Sequence, residues 1–358
     1  MTIRNIRAKI LATLALSIGV AGVAAAQERS KVFFLLPNST TTRFVTTDAP
    51  DFKAAMAAKA PSADVIIQNA EGDPTRQQKL VEDAISQGAK AIVFTSADSN
   101  FAAGSLKAAA DAKVPVVLYD HDATGGKAVA QVLHNFLAVG QAQGKRAAEL
   151  INAMSKTPVK IARVKGAQGN YGTIMFEKGQ NEFLKPLFDS GKVKVVCEQN
   201  TQGWDPANAQ NFAEDCLTRT GGDVDMFVAM NDGTAGGAIA ALINQGFKPG
   251  DKVVTGGQDA TVESLRYIIQ GWQDDTVFKD FKLTADATAA IVAYLLEGKA
   301  PPKEMFNGTI NNQFMDAAVR FSRARSTGVS SGNDPHVRLF AVAALRNRVR
   351  PFASSAQG

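Results

Sequence analysis

Short apolar runs alternate with amphipathic helical stretches from residue 31 onward, and the alternation starts afresh after Asn135. Runs of this kind read as strands buried on both faces, and when helices separate them they read as parallel sheet covered on either side. In the first series the strands are residues 31–36, ended by Pro37, then 64–68, 91–94 and 115–119. Helices are expected over 51–59, from Pro74 to the stop at Gly88, and over 106–112. In the second series the strands are 159–164, 193–197, 226–230, 252–255 and 276–278, and the helices 139–154, 176–187, 206–217, 235–245 and 264–271. Each series is too complete to share one sheet. The expected fold class is therefore α/β, with two doubly wound, Rossmann-like domains.

Ahead of the first strand stand Arg4, Arg7 and Lys9, an apolar run over 10–23, and Ala24-Ala25-Ala26. This is the order of an export signal, whose small residues mark the cleavage site. Residues 1–26 are read as that signal, and the expected location is periplasmic. The run is shorter than the roughly 20 apolar residues of a membrane span, and no later segment approaches that length.

Removing those three cations lowers the formal charge of +5 to +2. Seven arginines after residue 319 face a single acid, Asp334, so the body of the chain is mildly acidic. Nothing outside the tail resembles a nucleic-acid footprint. Cys197 and Cys216 either form a disulfide around the loop that carries Trp204 or remain two small buried thiols. Three histidines without ligand spacing argue against a metal, and no cofactor is expected.

Ligands of doubly wound sheets sit beyond the carboxyl ends of the strands. Those ends carry Arg43, Phe44, Asn69, Asp73, Asp120, His121, Asn135, Asn170, Trp204, Asn231, Asp232, Gln258, Asp259 and Lys279. The set is planar amides, carboxylates, cations and aromatics, without a Ser-His-Asp order, a nucleophile elbow or a phosphate loop. Carboxylates and amides can bridge neighbouring hydroxyls, Arg and Lys add charge-assisted donors, and aromatic rings cover apolar C–H faces. An Asp or Asn at a strand end is also a common helix cap or turn residue.

Five motifs then appear in order: Leu118-Tyr-Asp-His121, Gln202-Gly-Trp204 with Pro206, Met230-Asn-Asp-Gly-Thr-Ala-Gly-Gly237, Gly257-Gln-Asp-Ala260 and Thr276-Val-Phe-Lys279. Together they resemble the type I periplasmic sugar-binding proteins of ABC transporters, most of all the D-xylose-binding ones, over about residues 30–315. The resemblance implies two lobes joined by a three-segment hinge. One lobe would be 27–136 plus 282–310, and the other 137–281 plus 311–318. It implies a monosaccharide, xylose or a related pentose or hexose, held between the lobes by Arg43, Phe44, His121, Asn135, Asn170, Trp204, Asn231, Asp259 and Lys279. Asp120 and Asp232 fit better as loop-fixing residues. His121 stands where the family commonly has arginine, and Asn170-Tyr171 where it has paired asparagines, so a sugar other than xylose is compatible.

The implied partners are the ligand and an inner-membrane ABC permease, with a chemoreceptor or sensor kinase as the alternative. A monomer is expected, and no enzyme activity. A repressor-type regulator would need an N-terminal helix-turn-helix where the export signal stands. An exported dehydrogenase would need a G-x-G-x-x-G turn, which neither Gly221-Gly222 nor Gly256-Gly257 supplies. Residues 319–358 are Arg- and Ser-rich and expected to be poorly ordered, with helical promise only over 339–345.

Overall fold

The computed structural model describes residues 29–306 and the backbone of 309–310, 318–319 and 337–341. The expected export signal, residues 1–26, and most of the Arg-rich tail lie outside the described residues. Among the described residues no helix is long and apolar enough to cross a membrane.

The first series runs β1 (Ser30–Leu36), α1 (Ala49–Lys59), β2 (Ala63–Asn69), α2 (Pro74–Ser86), β3 (Ala91–Phe94), α3 (Ala103–Asp111), β4 (Val116–Tyr119) and β5 (Ala130–Val132). These strands form one parallel sheet in the order β2-β1-β3-β4-β5. The period of two in β1 sorts its side chains between two cores. Phe33 and Leu35 pack with Val81 and Leu106 of α2 and α3, whereas Val32, Phe34 and Leu36 pack with Phe52 and Met56 of α1.

The second series runs α4 (Phe136–Ala153), β6 (Val159–Lys165), α5 (Tyr171–Asp189), β7 (Val193–Asn200), α6 (Pro206–Thr220), β8 (Met226–Ala229), α7 (Asp232–Asn244), β9 (Val253–Thr255), α8 (Val262–Gln270) and β10 (Asp275–Lys279). A second parallel sheet has the order β7-β6-β8-β9. Ala162, Val164, Phe227 and Ala229 face α6 and α7, and Ile161, Met226 and Val228 face α4 and α5. Cys197 of β7 and Cys216 of α6 are joined in a disulfide.

Three features depart from the sequence reading. β5 has only three residues, Ala-Gln-Val, too few to show a period. The chain after β10 forms a long helix that the sequence reading did not mark, α9 (Phe281–Leu296), which packs Ala285, Ile291 and Val292 against the first sheet beside α1. Third, the tail supplies strand. β11 (Thr309–Ile310) pairs antiparallel with β12 (Ala318–Val319), and β13 (Val337–Ala341) pairs antiparallel with β10. Residues 339–341, expected to be helical, are therefore extended. A seven-residue helix is marginal on its own, whereas the open edge of β10 offers a ready hydrogen-bond ladder.

Candidate functional site

The carboxyl ends of the two sheets face each other, and an apolar cluster runs across the boundary. It joins Phe33, Leu35 and Leu118 of the first sheet to Phe136, Phe176, Trp204 and Met230 of the second lobe. Inside this boundary lies a narrow cavity of about 20 Å³, far tighter than the roughly 300–1,000 Å³ of open small-molecule sites, so the lobes must part for a ligand to enter. Seven residues singled out from sequence line it together: Arg43, His121, Asn170, Trp204, Asn231, Asp259 and Lys279.

Phe44 and Asn135 are not among the lining residues. Phe44 is buried in the core beneath α1, where its ring supports the Arg43 guanidinium at 4.3 Å and meets His121 edge-on. Asn135 caps α4, its side chain accepting from the Ala138 amide at 3.2 Å. Sequence reading did not place Thr41, Phe136, Gly172, Phe176 or Gln258 in the site, and it placed Asp120 in the loops; all six line the cavity. Phe136 and Phe176 sit in the first two turns of α4 and α5. Their positions just past a strand end were the available signal, but an aromatic there reads equally well as core.

Charges cluster at one wall. Arg43 holds both oxygens of Asp48, at 2.9 and 3.1 Å, and contacts Asp120 through its other terminal nitrogen. Its Nε lies 3.3 Å from Asp259 Oδ1, and Lys279 Nζ lies 3.2 Å from the same oxygen and 3.9 Å from Asp120 Oδ1. Both cations rest on Phe281, Arg43 at 4.3 Å and Lys279 at 5.0 Å from the ring centre. Burial works against each ion. For Arg43 the three carboxylates overcome it and raise the pKa, and for Asp120 the two cations overcome it and lower the pKa. For Asp48 burial wins over Arg43 and lifts the carboxyl to about 6. With Asp48 ionised, two cations face three anions, so the wall has no surplus positive charge.

Backbone geometry aims these groups. Asp120, Trp204 and Asp259 all have positive φ, at 59°, 59° and 118°, which turns each side chain off the line of its strand. Asp232 holds the Asp259 loop by accepting from the Thr261 amide at 2.8 Å and the Thr276 hydroxyl at 2.7 Å. Burial, reinforced by nearby Asp259, raises the Asp232 pKa to about 7. Asn231 caps α7 with Thr234 in a reciprocal pair, which fixes its Oδ1 on the helix and leaves the Nδ2 group to serve a ligand. Gly257 passes so close that a Cβ would sit 1.9 Å from the Asn231 nitrogen. His121 Nδ1 lies 2.8 Å from the Ser96 carbonyl, which makes Nδ1 the donor and Nε2 an acceptor. Burial lowers the pKa of this ring and keeps it neutral, although Asp120 pulls the other way.

Several buried lining atoms make no hydrogen bond within the described residues: Arg43 Nε, Asp120 Oδ1, Gln258 Oε1, Asp259 Oδ1 and Trp204 Nε1. Buried polar atoms are rarely left so, and the cost of leaving them unpaired is recovered by a ligand that supplies partners. Opposite stand the rings of Phe136, Phe176 and Trp204, with successive centres 5.1 and 6.2 Å apart. The arrangement suits a compact neutral molecule bearing several hydroxyls and an apolar face.

Residues 32–300 match the family model of the periplasmic binding protein domain, and the chain belongs to that family. Among its relatives is the D-xylose-binding periplasmic protein of Escherichia coli (strain K12), 31% identical over 273 residues, which span 74% of this chain and 77% of the relative. The multiple sugar-binding periplasmic receptor ChvE of Rhizobium radiobacter is 29% identical over 306 residues, 81% of this chain and 85% of that one. The fold is that of an ABC transporter solute-binding protein from Clostridium phytofermentans solved with β-D-glucose. The two superpose with a TM-score of 0.72 at 24% identity, covering 82% of this chain and 91% of the other.

Proposed function

We propose that this chain is the periplasmic substrate-binding protein of an ABC-type sugar importer. It captures a neutral monosaccharide, xylose or a related pentose or hexose, and delivers it to a membrane permease. The lobes are built on the two sheets, the first completed by α9, and they close on the sugar by hinge bending. The observation that carries this reading is the buried wall of Arg43, Lys279, Asp120 and Asp259, which shares one interlobe cavity with three aromatic rings and whose Asp120 and Asp259 Oδ1 atoms accept no hydrogen bond. Because the wall has no surplus cation, uronic acids and sugar phosphates are disfavoured. Ligand contacts are assigned to Arg43, Asp120, His121, Asn170, Trp204, Asn231, Asp259 and Lys279.

The test is a thermal-shift and calorimetric panel of pentoses, hexoses, polyols and uronic acids on the chain lacking residues 1–26. A neutral sugar should raise the melting temperature, and scattering should show a more compact particle with it. No shift with any neutral sugar, or an Asn231→Ala variant that responds like wild type, would remove the site from where it is placed.

A further inference from the structure

Beside the apolar cluster and the Asn38 Nδ2 contact to the Gly203 carbonyl, one carboxylate outside the cavity lining joins the two lobes. Asp122 follows β4 in the first lobe and is 5% exposed, and it does not line the cavity. Its Oδ1 accepts from the Ser99 hydroxyl of its own lobe at 2.8 Å. The same oxygen accepts across the boundary from the Tyr171 backbone amide at 3.2 Å and the Asn170 side-chain amide at 3.4 Å. Tyr171 is the first residue of α5, whose leading N–H groups have no partner within the helix. Asn170 caps the Thr173 amide, and the amide of Tyr171 is left to Asp122. A carboxylate at the start of a 19-residue helix also meets the positive end of its dipole. Both partner groups are polar and would be satisfied by water if the lobes parted.

We infer that Asp122 is a closure latch: it binds the N-terminus of α5 only when the lobes are shut, and so adds to ligand affinity without touching the ligand. The inference rests on the hinge-closing sugar receptor proposed above. A ligand's apparent affinity is its intrinsic affinity scaled by the population of the closed form, so an interlobe contact beside the site, made by a residue that does not line it, tunes that affinity. Ser99 pre-positions the carboxylate, which limits the ordering lost on closure.

The test uses variants on each side of the contact, measured with whichever neutral sugar binds wild type. Asp122→Ala should weaken binding about ten- to a hundredfold, mainly through faster dissociation, while the melting temperature without sugar stays near wild type. On the other lobe, Tyr171→Pro deletes the donating N–H at a position that tolerates proline, because it opens the helix and follows a residue already extended at ψ 131°. Compared with Tyr171→Ala, which loses the same ring but keeps the N–H, Tyr171→Pro should bind several-fold more weakly. The combination of Asp122→Ala with Tyr171→Pro should lose less than the sum of the two.

Wild-type dissociation rates in Asp122→Ala would overturn the latch. So would equal affinities for the Tyr171 pair, additive losses, or a sugar-free melting temperature that falls as far as the affinity does. If wild type itself binds no sugar, it is the proposed function that fails.

Discussion

Replacing Asp259 by Asn tests the charged wall most directly, because the shape of the side chain is kept and only its charge is removed. Its Oδ1 lies 3.2 Å from Lys279 Nζ and 3.3 Å from Arg43 Nε, and all three side chains are at most 5% exposed. A pair of unit charges at that separation is worth roughly 5 kcal/mol at an effective dielectric of about 20, before desolvation is counted. Removing one partner of a buried pair costs about 3–5 kcal/mol net. Arg43 keeps Asp48 and Asp120, and Lys279 keeps Asp120 at 3.9 Å, so the lower end applies. In the open form water reaches the cleft and solvates the cations, so the loss falls chiefly on the closed, liganded state. A loss of about 3 kcal/mol is roughly a hundredfold in affinity. Titration calorimetry reads it, with the sugar-free melting curve as the folding control. An Asp259→Asn protein that binds within threefold of wild type would refute the reasoning, since the pair would then add nothing to the closed state.

Burial raises Asp232 to about 7. A carboxyl raised on folding contributes stability that is complete below its unfolded pKa near 4 and is lost as pH rises through about 7. Asp232→Asn should therefore flatten the pH dependence of stability between about pH 4 and 7, measured by denaturant unfolding across that range. Replacing Cys197 and Cys216 together by Ala opens a loop with a sequence separation of 19 and should cost about 3 kcal/mol in urea unfolding, with the sugar site intact. Gly257→Ala would push a Cβ to 1.9 Å from the Asn231 nitrogen. Backbone must move there, so sugar binding should fall more than tenfold in a protein that still folds, as judged by calorimetry and circular dichroism.

Much of the architecture was legible in the residues. The apolar runs such as 31–36 and 91–94 gave strands because a strand covered on both faces must be apolar throughout. The strand-end rule then narrowed the site to a short set of polar and aromatic residues, nine of which the structure gathers around one cavity. α9 was not legible as a helix, although the resemblance implied that residues 282–310 belong with the first lobe. It is apolar on nearly all sides because it is buried between the sheet and α1, so it shows little of the amphipathic stripe that marks a surface helix.

Which way each strand-end residue faces was decided only by the tertiary structure. Asp and Asn carry the same chemistry whether they cap a helix or meet a ligand. Asn135 is taken up by α4, whereas Asp120 turns at positive φ into the cavity. Phe44 lends its ring to Arg43 from below, and Phe136, just ahead of the helix read over 139–154, and Phe176, at the start of the next, line the same cavity. Sequence determined the two βα series and the hydroxyl-matching chemistry at their ends, because periodicity and residue type are local properties. The pairing of Arg43 with Asp48, Asp120 and Asp259, and of Asp122 with the start of α5, joins residues up to 216 positions apart. The contacts of Arg43 with Asp259 and of Asp122 with α5 exist only once the carboxyl ends of two separate sheets have met, and that step is set by the packing of the whole chain.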